Sequence, residues 1–134
     1  MNPPRVMETC LYVDDLQAAE DFYGRVFGFE PFAKVENRHT FFRSGDAVFL
    51  LFNPEATSEA AGPGIPTHGA TGAGHVAFAI TEAEIDAWRD RLQRENVEIE
   101  LEYTWPNGGF SIYFRDPAGN CLELVTPKTW GVGE

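Results

Sequence analysis

Hydrophobic and polar residues along this chain follow two different periods, and the same succession of periods occurs twice. From Val97 to Trp105 apolar residues alternate with polar ones, the period of two that is typical of a β-strand. In 16–26 and 85–92 apolar residues recur three or four positions apart, which predicts two amphipathic helices. Each helix pattern follows a short strand pattern, 7–13 in the first case and 75–80 in the second.

The starts of the two predicted helices share a capping pattern. Asp14 stands three residues before Gln17, and Thr81 stands three residues before Glu84, so each pair reads as a capping box. Both boxes lie at the same offset in their half of the chain, 81 − 14 = 67 residues apart. We therefore predict an internal repeat with Asp14 and Thr81 as the N-caps.

Each helix is followed by further strands, so the chain reads as two modules. Residues 40–52 and 112–126 both have the pattern of a β-hairpin with a turn rich in Gly, Asp and Ser or Asn. The order strand, helix, strand, strand, strand predicts an α+β fold of two βαβββ modules, 1–54 and 74–127. A connector rich in Gly, Pro and Ala, 55–73, joins them within a single domain.

Charge and composition exclude several classes of partner. The chain has 134 residues and a net charge of −11, which disfavours binding to nucleic acid or to anionic membranes. Its longest apolar run, Ala47–Phe52, is far too short to span a bilayer. The N-terminus lacks a secretory pattern, and the two cysteines, Cys10 and Cys121, fit free thiols. We therefore expect a cytoplasmic protein whose partner is a small molecule.

Candidate chemistry comes from aligning the two halves. The offset of 67 residues sets Glu8 opposite His75, and the hairpin glycines, 74 residues apart, set Phe49 opposite Glu123. Strand alternation turns Glu8, His75 and Glu123 away from the helices. Carboxylate oxygens with an imidazole nitrogen suit a divalent first-row metal. A hydrogen-bonded core histidine remains the alternative interpretation of His75.

Three segments carry a resemblance to a known family. They are Leu11–Leu16 with Phe22-Tyr23, Gly74–Phe78 and Tyr113–Leu124. Together they resemble the vicinal oxygen chelate superfamily, which includes glyoxalase I, fosfomycin-resistance thiol transferases, bleomycin-binding proteins and extradiol dioxygenases. The resemblance implies that the two modules form curved mixed sheets around a cleft.

The resemblance also implies the ligands of a metal site. Metal ligands of the family stand at the positions of Glu8, His75 and Glu123. Glyoxalase I has a fourth ligand at the position of Phe49, which cannot bind metal, so the chain matches the three-ligand pattern of the fosfomycin group better. That group has histidine at the position of Glu8, which is a second departure.

The activity implied is that of a metal-dependent lyase or isomerase of the glyoxalase type, acting on a small oxygenated molecule. A divalent ion (zinc, nickel, manganese or iron) would polarise the substrate oxygens. Glu8 is the predicted base and Tyr113 orients the substrate, while Cys10, Phe49 and Trp105 are predicted to line the substrate site. Small relatives further imply a homodimer that shares its clefts between two chains.

Two other functions stay open. One is a metal-free protein that sequesters a toxic or drug-like ligand, as bleomycin-binding relatives do. The other, ranked third, is an extradiol dioxygenase, whose iron centre uses two histidines and a carboxylate. Glu8 stands where one of those histidines is needed. Tyr113 is likewise interpreted either as a substrate contact or as a half-buried aromatic residue of a strand.

Overall fold

The computed structural model describes residues 1–60 and 64–134, which form two compact units, Met1–Gly72 and Ala73–Glu134. The helices and strands of the first unit are β1 (Glu8–Tyr12), α1 (Leu16–Phe27), β2 (Pro31–Val35), β3 (His39–Ser44), β4 (Ala47–Phe52) and α2 (Pro54–Thr57). Those of the second unit are β5 (His75–Ala79), α3 (Ile85–Arg94), β6 (Leu101–Thr104), β7 (Phe110–Arg115) and β8 (Cys121–Val125). The predicted α+β fold and its repeated βαβββ order are confirmed.

Each unit has one four-stranded mixed sheet, and the two sheets have the same topology. The strand orders are β1-β4-β3-β2 and β5-β8-β7-β6. The first and last strands of each unit pair in parallel, and the other neighbours are antiparallel. A parallel pair needs a long crossover, which the helix and the two intervening strands supply.

The apolar core of each unit lies between its sheet and its helix. In the first unit Tyr23 of α1 is fully buried, and its ring lies 5.1 Å from that of Phe49 in β4. In the second unit Leu92 of α3 is fully buried, as are Leu122 and Leu124 of β8. Alternation then directs the residues between these core positions to the opposite face of each sheet.

One of the two predicted helix caps is confirmed and the other is wrong by one residue. Thr81 and Glu84 form the predicted capping box, in a single 3-10 turn, Glu82–Glu84, that precedes α3. In the first unit the N-cap is Asp15, whose Oδ1 accepts from the amide of Ala18 at 3.0 Å. The capping carboxylate accepts from the amide three residues ahead. For Asp14 that amide would be the one of Gln17, which is one residue earlier in the helix than the amide of Ala18.

The long predicted strand 97–105 is shorter in the structure. Only Leu101–Thr104 form β6, although the amide of Glu100 also donates to the carbonyl of Tyr113 at 2.8 Å. The predicted connector begins within α2, a single helical turn that the side chain of Asn53 caps. In the part of the chain that the structure describes, no helix has the length and apolar character needed to cross a membrane.

Candidate active site

The His75 imidazole is held in one orientation by the backbone of the neighbouring strand. His75 and Cys121 are partners in the β5–β8 ladder, and His75 Nδ1 lies 2.9 Å from the carbonyl oxygen of Cys121. A carbonyl only accepts, so the hydrogen of this contact belongs to Nδ1. In the neutral ring, Nε2 therefore presents its lone pair, and it lies 3.3 Å from Glu123 Oε1.

Glu123 is a buried carboxylate oriented by a chain of donors. Its exposed fraction is 7%, and Ser111, which is fully buried, donates its hydroxyl to Oε2 at 2.6 Å. Trp105 Nε1 in turn donates to Ser111 Oγ at 2.8 Å. Because the indole occupies an acceptor position of the hydroxyl, the hydroxyl hydrogen is free to point at Glu123. Oε1 is thereby turned toward His75.

His75 and Glu123 offer two of the ligand atoms that a metal site needs. A neutral imidazole nitrogen and a carboxylate oxygen both present lone pairs, so a proton or a cation must lie between them. An imidazole whose other nitrogen donates to a backbone carbonyl is the arrangement usual for metal-binding histidines. His75 and Glu123 therefore fit a divalent ion as two of its ligands.

The third predicted ligand, Glu8, belongs to the first unit. It is exposed at the first position of β1. Among residues 1–60 and 64–134, no group of three or more His, Cys, Asp or Glu side chains is arranged to hold a metal ion. The structure thus brings His75 and Glu123 together, and the role of Glu8 stays a prediction.

Tyr113 lies beside this pair. It is the ladder partner of Glu123, and its ring centroid is 6.4 Å from that of His75 with an angle of 25° between the planes. Burial raises the pKa of the Tyr113 phenol, and the negative charge of Glu123 raises it further. The phenol therefore keeps its proton at neutral pH and is available to donate to a ligand oxygen.

A groove of about 310 Å³ opens next to Tyr113. Its walls are Tyr113 together with Leu101, Tyr103, Trp105 and Glu100. Trp105, predicted to line the substrate site, is therefore found in a concave and mostly apolar surface. The same side chain belongs to the donor chain that ends on Glu123.

Phe49 does not occupy the position that the sequence alignment gave it. The ladders pair Cys10 with Leu50 and Ala77 with Glu123, so Leu50 corresponds to Glu123. Phe49 faces helix α1 and is only 2% exposed, and we do not retain it as a substrate contact. The hairpin turn of the second unit is one residue longer, since four residues separate Arg43 from its partner Val48 but five separate Arg115 from Cys121. Aligning the turn glycines therefore shifted the register by one.

The equivalent face of the first unit carries aromatic side chains. Tyr12 OH lies 2.7 Å from Nδ1 of His68, whose ring meets that of Phe52 edge to face at 4.7 Å. His39 stacks on Phe41 with ring centroids 4.0 Å apart. Burial raises the pKa of the Tyr12 phenol, and the neighbouring half-buried Cys10 raises it further.

His39 gives a test of the electrostatics of this face. Burial lowers its pKa below the ordinary value of 6.5, and the charge of Arg38 lowers it further. As the pH falls below 6.5, His39 takes up a proton more readily in the unfolded chain than in the folded protein. The folded state therefore loses stability as the pH falls through this range. We expect His39→Phe, which keeps a ring against Phe41, to flatten the fall in melting temperature between about pH 7 and about pH 5. An unchanged slope would contradict this.

Sequence reasoning missed three residues that shape these surfaces. Ser111 carried one usable signal, because it stands two residues before Tyr113 and so shares its face of β7. Asn120 was interpreted only as a turn residue, yet its Oδ1 accepts from the amide of Gly74 at 2.7 Å. His68 had no signal of its own, since its contact with Tyr12 joins residues 56 apart in the chain.

Comparison with known proteins identifies the family. Residues 5–124 match the Glyoxalase/Bleomycin resistance protein/Dioxygenase superfamily, and the chain belongs to it. This confirms the family resemblance found in the sequence.

The chain is similar to two named relatives and to one further solved structure. A crystal structure of lactoylglutathione lyase from Agrobacterium tumefaciens is 45% identical, with a TM-score of 0.94 over 98% of this chain and 100% of that one. Metallothiol transferase FosB from Shouchella clausii is 29% identical over 116 residues, which cover 85% of this chain and 74% of the relative. The fosfomycin resistance protein FosX from Mesorhizobium loti shares the fold, with a TM-score of 0.63, 24% identity and coverage of 94% and 93%.

Proposed function

We propose that this protein is a metal-dependent lyase or isomerase of the glyoxalase type that acts on a small molecule with adjacent oxygen atoms. The observation that carries the proposal is the contact of His75 Nε2 with Glu123 Oε1 at 3.3 Å, with Nδ1 occupied by the Cys121 carbonyl. The 45% identity with a protein named lactoylglutathione lyase supports it.

The residues of the second unit have defined roles in this proposal. His75 and Glu123 would hold the divalent ion, and Ser111 donates to the Glu123 carboxylate and so fixes its orientation toward His75. When bound, the ion supplies a Lewis acid that stabilises negative charge on the substrate oxygens. Tyr113, protonated because burial and Glu123 raise its pKa, donates to a substrate oxygen and orients it.

Glu8 is proposed to complete the ligand set and to move the substrate proton. The isomerisation moves a proton from the hydroxyl-bearing carbon to the neighbouring carbonyl carbon, and the hydroxyl proton moves to the former carbonyl oxygen, so the step balances without an external oxidant. A carboxylate is suited to both transfers as a general base and then as a general acid. Glu8→Gln is expected to slow turnover per bound metal ion, and full turnover of this variant with metal bound would reject the role of Glu8 as the base.

The proposal is tested by loading the chelator-treated, tag-free protein with zinc, nickel, manganese or anaerobic ferrous iron. We expect one metal per site and a higher melting temperature, because a ligand of the native state stabilises it. Turnover, measured as formation of lactoylglutathione from glutathione and methylglyoxal, should follow the bound metal. Full turnover after complete chelation would disprove the metal-dependent mechanism.

We also propose a cytoplasmic homodimer. The resemblance to small relatives implies the dimer, and the free thiols Cys10 and Cys121 are compatible with a reducing compartment. Sedimentation of the same metal-loaded samples should give twice the chain mass of 14.9 kDa. A stable monomer at micromolar concentration would remove the homodimer from the proposal.

A metal-free ligand-sequestering protein is the second candidate. It is favoured by the aromatic face of the first unit, where Tyr12, His39, Phe41, Phe52 and His68 are in ring contact. Tight ligand binding by fully chelated protein would distinguish it from the enzyme. Cleavage of a catechol by the ferrous protein would instead favour the third candidate, an extradiol dioxygenase.

A further inference from the structure

We propose that the groove next to Tyr113 binds a planar, uncharged apolar group of the substrate, such as a phenyl ring, beside the oxygen atoms held at His75 and Glu123. This inference rests on the proposed function and names its substrate class. The expected ligands are aryl-substituted molecules with two adjacent oxygen atoms.

The shape of the groove suits a ring. The centroids of Tyr103 and Trp105 lie 4.7 Å apart with 72° between their planes, so the two rings form a corner. Leu101, the ladder partner of Tyr113, supplies an aliphatic wall and is 52% exposed. The groove volume of about 310 Å³ lies at the lower end of the range for small-molecule sites. A ring placed there covers apolar surface that water now contacts.

The charges of the groove favour a neutral occupant. Glu100 is the one lining residue with a formal charge, and its two carboxylate oxygens receive Arg115 Nε at 3.2 Å and Nη2 at 3.1 Å. The lining therefore offers no unmatched positive charge to an anion, in a chain whose net charge is −11.

The groove is connected to the predicted metal ligands by side chains that belong to both. Tyr113 is a wall of the groove and the ladder partner of Glu123. Trp105 provides the second connection, since it lines the groove and its Nε1 donates to Ser111, which in turn donates to Glu123. A ring in the groove therefore contacts the first member of the donor chain that orients the carboxylate.

A matched pair of probes tests the inference. 2-Hydroxyacetophenone and hydroxyacetone carry the same adjacent carbonyl and hydroxyl oxygens and differ in a phenyl against a methyl group. We expect zinc-loaded protein to bind the phenyl compound at least about tenfold more tightly in a calorimetric titration, from the extra apolar area buried. Equal affinities with zinc bound would overturn the inference and leave the proposed function intact.

Variants locate the preference. Leu101→Asp, at an exposed wall position, should abolish the preference for phenyl without reducing zinc uptake. Val132→Asp is the control, because Val132 is also exposed in the second unit but does not line the groove, and this variant should retain the preference. If Leu101→Asp instead dissociates a dimer and leaves the preference unchanged, the groove is an interface between copies and the inference is wrong. Failure of the wild-type protein to take up zinc contradicts the proposed function, whichever probe binds.

Trp105→Phe separates the ring from its donor. It keeps an aromatic wall and removes the Nε1 hydrogen that reaches Ser111. We expect the phenyl preference to persist while zinc affinity falls several-fold, because the Ser111 hydroxyl loses the partner that fixes its direction. Unchanged zinc affinity would show that Trp105 does not act on Glu123.

Discussion

His75→Ala and Glu123→Gln should each remove stoichiometric metal binding and lower metal-dependent turnover by about 100-fold or more. The first removes the Nε2 lone pair that faces Glu123. The second keeps the size of the side chain and an oxygen for Ser111 but removes the negative charge. Metal content of the purified variants, measured beside turnover, checks both changes.

The Glu123→Gln variant has a second expected property. The negative charge of a buried carboxylate is costly, and Glu123 Oε1 faces the lone pair of His75 Nε2, so the metal-free variant should melt no lower than the metal-free wild-type protein. Its melting temperature should also be indifferent to chelator, whereas that of the metal-loaded wild type should fall. Glu98→Gln, an exposed change of the same kind, is the control. Full activity of His75→Ala would show that this pair is not the metal site.

Asn120→Ala should lower the free energy of unfolding by about 2–4 kcal/mol. Asn120 is 1% exposed; its Nδ2 donates to Asp116 Oδ2 at 3.0 Å, and its Oδ1 accepts from the amide of Gly74 at 2.7 Å. The alanine leaves that amide without its acceptor and removes one donor from a carboxylate that is 5% exposed. Denaturant unfolding measures the loss.

The same substitution should also weaken metal binding, because Gly74 directly precedes His75 and fixes the start of β5. Asn2→Ala is the matched control, since Asn2 is exposed and its side chain lies in water. It should cost less than about 1 kcal/mol. Equal losses in the two variants would show that burial of Asn120 contributes nothing.

The features that the sequence predicts well are those that depend on local periodicity. Alternation alone set Leu122 and Leu124 toward the helix and Glu123 toward the opposite face, and the burial of both leucines agrees. The positions of the helices likewise followed from the spacing of apolar residues, which is also a local pattern. These predictions need only the direction of neighbouring side chains along one strand or one helix.

The features that failed depend on lengths or contacts that periodicity does not contain. The position of Phe49 was wrong because one extra residue in a turn reverses the face of every residue after it. Ser111 and Trp105 gave no sign of their bond to each other, since a side-chain rotamer decides it. The contact of His68 with Tyr12 brings a connector residue onto a strand far away in the chain.

The parallel pairing of β5 with β8 has a consequence for folding kinetics. In the strand order β5-β8-β7-β6, the last strand of the unit in sequence is inserted between β5 and β7. The hairpin of β7 and β8 is a local contact, whereas β5 meets β8 only after the chain between them has closed a long loop, which is the slower step. His75 meets Glu123 in that slower step, so this pair of proposed metal ligands is absent from any intermediate that holds the hairpin alone. Added metal should therefore slow unfolding of the second unit more than it speeds refolding.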